Sequence, residues 1–483
     1  MPKRSDSSAP MIVALLIAAA VVLVIVFGSR LWGEDAAELP PAPAQAPAEA
    51  SLDGVDLRAV HAQLLPAWIS ARSQSGAELL EERAFEALDA ELRPNPALAQ
   101  MMAELREHTT PTALRREPDR QAAMAVVRRW NEHLDEAEIP YLLRANIIAS
   151  GEVIQFYTLS CEVIADAMVE VGSGRHRVRY VRRVDRLNLR ETYLGMVREQ
   201  EEGVIIILDE VAKFATDEVW PLLTPPSKSH PRDDLHAAFG PSVTAEALAS
   251  LSSEDARLLQ STASARQALV NAVMAIGGRA SCGSQFRIVT TPWNGYDAPT
   301  LALIRQAVGL GASHCPQVTA DELDAIERAS TTLRSTPSLR PAVEALCAWA
   351  AQPMVVHEAR HAADLQQATT ARERTCLWCG PNDPEQARVE LSAYMAELAW
   401  TDSPALALFQ ACEAVSQDQG AGHGEALEVI TERTDHGCTE GALSGAAEIM
   451  RALEVSGFGR SDPISFVGEY PERVPVDDLR RGG

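Results

Sequence analysis

Between Asp53 and Ile148 apolar residues recur at three- and four-residue spacing, as in "DLRAVHAQLLPAWISARS" and "AELLEERAFEALDAEL". One apolar stripe along a polar surface is the pattern of an amphipathic helix, so the region is predicted to be helical. Beyond Glu152 the pattern changes. "EVIQFYTL", "RHRVRYVRRVDRL", "TYLGMVRE" and "GVIIILDEVAKF" are short, rich in β-branched and aromatic residues, and separated by glycine and charged turns. They predict a small antiparallel sheet from Glu152 to about Leu223. Pro225, Pro226 and Pro231 in "TPPSKSHPRDD" then enforce a loop. From Ser252 helical spacing returns, interrupted by one expected strand, "QFRIVTTP". No long internal repeat is visible. The fold class expected is α+β and mostly α-helical.

The first residues break this pattern. From Pro10 to Gly28 no charge appears and nearly every residue is apolar. At about 1.5 Å per residue such a helix spans the roughly 30 Å core of a bilayer. Lys3 and Arg4 precede it, and Glu34, Asp35 and Glu38 come after it. The expectation is therefore a cytoplasmic segment 1–9, a transmembrane helix 10–28 and a Pro/Ala-rich linker 29–52, with the bulk of the chain extracytoplasmic. A cleaved signal peptide is the rival reading. The remaining divisions are a helical region 53–150, a sheet region 151–235, a helical region 236–470 and a tail 471–483.

A net charge of −24 excludes wholesale nucleic-acid binding. The basic stretch "RHRVRYVRRVDR" reads instead as arginines on the solvated face of a strand, with Val178, Tyr180 and Val184 inward. Eight cysteines lie after the apolar segment, an even number that suits disulfides in an oxidising compartment. Cys161 and Cys347 sit in apolar runs and are expected to be buried free thiols.

The chemistry concentrates in "PMVVHEARHAADLQQ". Pro353 suits a first helical turn, and no Pro or Gly occurs after it until Gly380, so a helix from Pro353 to about Ala368 is expected. His357 and His361 are then i and i+4, one above the other on one face, where two imidazoles can share a tetrahedral Zn2+. Glu358 is offset around the helix, in reach of a water on the metal. Arg360 is a departure, a charge in a variable position usually held by uncharged residues. A third ligand is expected from "CGPNDPEQARVELSAYMAELAW", where Asp383 as N-cap and Pro384 at N1 mark a helix running through Trp400. Glu390 lies there on a small, apolar face, where a carboxylate is costly unless paired or bound to metal. Glu397, seven residues on and on the same face, competes for that place. Asp364 either orients a ligand imidazole or is a solvated acid.

His357-Glu358-x-x-His361 with a separate downstream helix bearing Glu390-x-x-Ala393 resembles the gluzincin type of zinc metallopeptidase. The resemblance covers about residues 353–400 of 483. It implies a zincin-like catalytic region in which His357, His361 and Glu390 hold Zn2+ and Glu358 is the general base for hydrolysis of a protein or peptide substrate. The oxyanion needs a further donor. Tyr394 is the candidate in the same helix, and His423 and His436 are candidates from later segments.

Cys376-x-x-Cys379, in the connection between the two helices, leaves three readings open. They are a disulfide (locally or to Cys412 or Cys438), a second zinc site completed by His436 and Cys438, and a redox pair. "SHC" at Ser313–Cys315 sets a histidine beside a cysteine in a way that points them apart. Rival functions are an exported binding protein with a degenerate zinc site, and a zinc amidase acting on cell-wall peptides.

Overall fold

The computed structural model describes residues 50–72, 78–150, 153–185, 194–196, 203–223, 233–280, 291–309, 318–367, 385–416, 421–434, 438, 464–468 and 470–476. The chain divides into two compact units, Met1–Ser160 and Cys161–Gly483.

The first unit opens with a hairpin of β1 (Ser51–Leu52) and β2 (Val55–Asp56). Its two-residue turn is Asp53-Gly54, at φ 51° and 89°. Left-handed φ at both positions gives the turn whose twist matches the strands, and Gly54 adopts it without steric cost. Among the described residues the α-helices of this unit are α1 (Leu57–Ala59), followed by a π-type turn over Val60–Leu64, α2 (Leu65–Arg72), α3 (Glu78–Leu92), α4 (Pro96–His108) and α5 (Glu117–Glu136). The start of α4 is set by Asn95, whose side chain accepts a hydrogen bond from the Leu98 N–H at 3.0 Å, with Pro96 at the first helical position. Trp68, Trp130 and His61 lie in the core, and the His61 ring stacks on Tyr141 at 4.8 Å between centroids. The helical expectation for 53–150 is corrected at its end. Tyr141–Ser150 forms strand β3, because Tyr141, Leu142, Leu143 and Ala145 are all buried and so carry no helical stripe.

The sheet is larger than expected and mixed. Its order is β3-β4-β5-β7-β6, with β4 (Val153–Val171), β5 (Gly174–Arg183), β6 (Gly195–Met196) and β7 (Val204–Ile207), and β8 (Ile464–Val467) pairs with β4. The expectation of a small antiparallel sheet is therefore corrected, since β5 and β7 run parallel while β6 pairs antiparallel with β7. The cause is legible in β7: all four residues, "VIII", are buried. An unbroken apolar run of this kind belongs to a strand covered on both faces, not to a one-sided meander. After β7 the chain turns from strand to helix, through α6 (Leu208–Phe214), a π-type turn and α7 (Trp220–Leu222). On β5, Val178 and Tyr180 are fully buried as expected. Arg177 and Arg182 pair across the ladder with Asp166 and Glu162, at 2.7 Å and 2.6 Å. Arg179 and Arg183 are buried, so the arginines do not all face solvent.

Among the described residues α6 and α7 are followed in the second unit by α8 (Asp233–Ser250), α9 (Ser253–Ala280), α10 (Ala298–Gly309), α11 (Ala320–Ser335), α12 (Leu339–Gln367), α13 (Glu385–Trp400), α14 (Pro404–Ser416) and α15 (Ala421–Thr434). The central one is α12, which packs against β5, β6, β7, α9 and α13. It starts at Leu339, well before the expected start, and carries Pro353 in its interior. An interior proline costs about 3 kcal/mol. Val343, Leu346, Trp349, Val355 and Val356 are all buried along α12, and each such side chain contributes about 1.5–3 kcal/mol, so burial outweighs the proline. Part of the expected tail is also packed: Val474 and Val476 are buried, and the Val474 N–H donates to the Glu344 carbonyl at 3.2 Å.

The expected transmembrane helix is corrected. Among the described residues no helix is long and apolar enough to cross a membrane, and residues 10–28 lie outside them. Even the longest described helix, α12, carries Arg340, Glu344, Glu358, Arg360 and Asp364. The single-pass membrane placement and the extracytoplasmic location depended on that span and fall with it. The expected strand in "QFRIVTTP", apart from Thr291 and Pro292, lies outside the described residues, as do Ser313–Cys315, Asp383 and Pro384.

Candidate metal centre

The second half of α12 is buried nearly all round: Val355, Val356, Ala359, Ala362 and Ala363 form its packed faces, and His357, Glu358 and Arg360 are buried with them. Small residues on this surface allow α13 to lie close alongside. His357 and His361 project from α12 towards Glu390 on α13. The two Nε2 atoms are 3.1 Å apart. Glu390 Oε2 is 3.4 Å from His357 Nε2 and 3.6 Å from His361 Nε2. These three residues form a group that can hold a metal ion.

The dimensions fit one. Bonds of roughly 2.0–2.1 Å to a tetrahedral ion place neighbouring donor atoms about 3.3 Å apart, close to all three separations here. Glu390 Oε2 supports the same conclusion. It is buried, lies within ion-pair distance of three imidazole nitrogens, and yet accepts no hydrogen bond. An unsatisfied buried acceptor is costly, and a cation among these donors removes the cost.

The surrounding groups fix the ligands. Glu397, a rival ligand on the sequence alone, lies behind His357, with Oε2 at 3.0 Å from Nδ1. With Nδ1–H donated there, His357 presents Nε2 to the centre, the carboxylate–imidazole arrangement that orients metal ligands. Asp364 does not take that part. It pairs with Arg360 at 2.8 Å, and Arg360 Nε donates to Ser392 Oγ at 3.0 Å. The charge that looked out of place in the motif thus faces away from the centre and fastens α12 to α13.

Burial and crowding set the electrostatics. Burial alone would lower the His357 pKa, but Glu390 and Glu397 outweigh it and raise it well above the ordinary value. Burial would raise Glu390, and the imidazoles beside it hold it far below the carboxylate range instead. Burial raises Glu358, with His361 and His357 partly offsetting it. Tyr394 is raised well above 10 by burial and by Glu390, Glu397 and Glu358, so its hydroxyl keeps its proton. That hydroxyl is 2.7 Å from His423 Nδ1, and the Tyr394 ring packs edge-on against His357 at 4.9 Å between centroids. His423, on α15, also places Nδ1 at 3.2 Å from Glu390 Oε2.

Of the residues expected from sequence, His357, Glu358, His361, Glu390 and Tyr394 come together, and His423 joins them. His436, Cys376 and Cys379 lie outside the described residues. Among the described residues Cys412 and Cys438 form a disulfide, which engages one of the cysteines assigned to a second zinc site. Cys161 and Cys347 are buried thiols, as expected. Gly195 escaped the sequence reading. An added Cβ there would stand 2.8 Å from Glu358 Cγ, so the edge strand β6 lies directly on the Glu358 side chain. No local signal in "TYLGMVRE" ties that glycine to a glutamate so far along the chain.

Comparison with known proteins finds no matching family model, no matching curated protein and no matching solved structure. It lends no support to a protease in particular and does not bear on the gluzincin resemblance.

Proposed function

We propose that the protein is a metal-dependent hydrolase that cleaves peptide bonds, with zinc as its metal. The observation that carries this reading is a two-histidine, one-glutamate donor set with a second carboxyl group, that of the buried Glu358, on the helix of the two histidines. Three protein donors leave one position of a tetrahedral ion for a small molecule, as a catalytic centre requires. Nitrogen donors at these separations suit zinc better than calcium or magnesium, which favour oxygen.

A zinc ion bound by His357, His361 and Glu390 would supply Lewis acidity, acidifying a water and polarising a carbonyl. Glu358 accepts the proton of the attacking water as its oxygen bonds to the carbonyl carbon. It then delivers that proton to the amine nitrogen as the carbon–nitrogen bond breaks. The raised Glu358 pKa suits both transfers. The Tyr394 hydroxyl, protonated and held by His423, donates to the developing oxyanion.

The test is metal content of the full chain with peptide cleavage. About one zinc per chain is expected in wild type, lost in His357→Ala and Glu390→Gln. Glu358→Gln keeps the zinc and loses cleavage by about 100-fold or more. No zinc in wild type under metal-replete conditions overturns the reading. A closed, non-catalytic metal centre is the second reading, favoured by the approach of His423 to Glu390. In that case His423→Ala loses the metal; in the hydrolase it keeps it.

A further inference from the structure

Resting on the hydrolase reading, we propose that Gly195 is a positioning residue: the absence of a side chain at this point of β6 is what lets the edge strand seat the Glu358 carboxylate. Gly195 pairs with Ile206 in the β6–β7 ladder. It is buried and is not among the glycines at positive φ, so its backbone does not demand glycine. Close approach demands it instead. A Cβ at Gly195 would lie 2.8 Å from Glu358 Cγ, 3.1 Å from Ile206 Cδ1 and 3.2 Å from Glu358 Oε1.

Carbon atoms settle at about 3.5–4.0 Å, so a methyl group at position 195 pushes Glu358 Cγ back by about 1 Å. Glu358 has packed neighbours to be pushed against, since it is buried and flanked by Val355, Ala359 and Ala362. The atoms met belong to side chains and not to backbone, so the shift falls on Glu358 and Ile206. The consequence falls on where the carboxylate points. A misplacement of about 1 Å in reacting groups lowers turnover by about 100-fold.

The experiment is Gly195→Ala in the full chain. Expected are wild-type zinc content, a melting temperature lower only by the few degrees that overpacking costs, an unchanged KM for a reporter peptide and a kcat lower by about 100-fold. A role confined to strand stability would move the melting temperature and zinc retention together with kcat. A crystal structure of the variant should show Glu358 Cγ displaced by about 1 Å, a readout independent of whether the chain cleaves peptides. Wild-type kcat, or an undisplaced Glu358, overturns the proposal. Displaced Glu358 in a chain whose wild type shows no cleavage would uphold the steric role of Gly195 and reject the hydrolase reading instead.

Discussion

His357 stands between two carboxylates with different tasks. Glu390 faces the side on which a metal ion can be held, and Glu397 receives Nδ1 on the far side at 3.0 Å. Removing the charge of Glu397 while keeping its shape leaves all three ligands in place but weakens the hold on the imidazole. Glu397→Gln is therefore expected to reduce zinc affinity by about 10–100-fold, measured by competition with a chromophoric chelator. Equal affinity in the two proteins would show that Glu397 is only a packed acid. From sequence, Glu390 and Glu397 looked like rivals, because both lie on one face of one helix. Helical periodicity shows which residues share a face. It does not show how deep the facing helix lies, and depth is what separates the ligand from the group behind it.

Among the elements, α12 was legible in its second half and hidden in its first. Pro353 gave a true local signal, a preference for a helix start, which the burial of Val343, Leu346 and Trp349 overrode. The sheet was legible as strands but not as topology, because parallel pairing of β5 with β7 depends on residues far apart in the chain. A different limit appears at the π-type turn of the first unit. His61 is fully buried with neither ring nitrogen hydrogen-bonded, and burial lowers its pKa from 6.5 to about 3. Unfolded, the ring takes a proton near 6.5; folded, it resists down to about 3. Stability from this group is thus complete above pH 6.5 and falls as pH drops towards 3, by about 2 kcal/mol at pH 5. His61→Phe keeps a ring against Tyr141 and should remove that share of the pH dependence in urea unfolding of the first unit. An unaltered slope would mean that other groups set it.

At the scale of the whole molecule, the two units differ in what holds them. The second has the Cys412–Cys438 disulfide, which closes a loop of 26 residues containing α15 and His423. Chain-entropy arguments give about 3.5 kcal/mol for a loop of that length. Reduction should lower the urea midpoint of the second unit and leave that of the first unchanged; a common shift in both would contradict this division. The net charge of −24 described solubility and told nothing of architecture. The membrane span was the strongest reading of the apolar N-terminal run, yet none of the described helices has its composition.

The pairing of β8 with β4 brings residues 464–467 against residues 168–171, and Val474 and Val476 pack where α12 begins. On a ribosome the chain emerges from its N-terminus, and domains tend to fold in that order. Everything the first unit needs, up to Ser160, is available early. The second unit must wait, its sheet a strand short and the base of α12 uncovered, until residues 464–476 have been made. Until then the helices that carry the two histidines and Glu390 exist without their complete support.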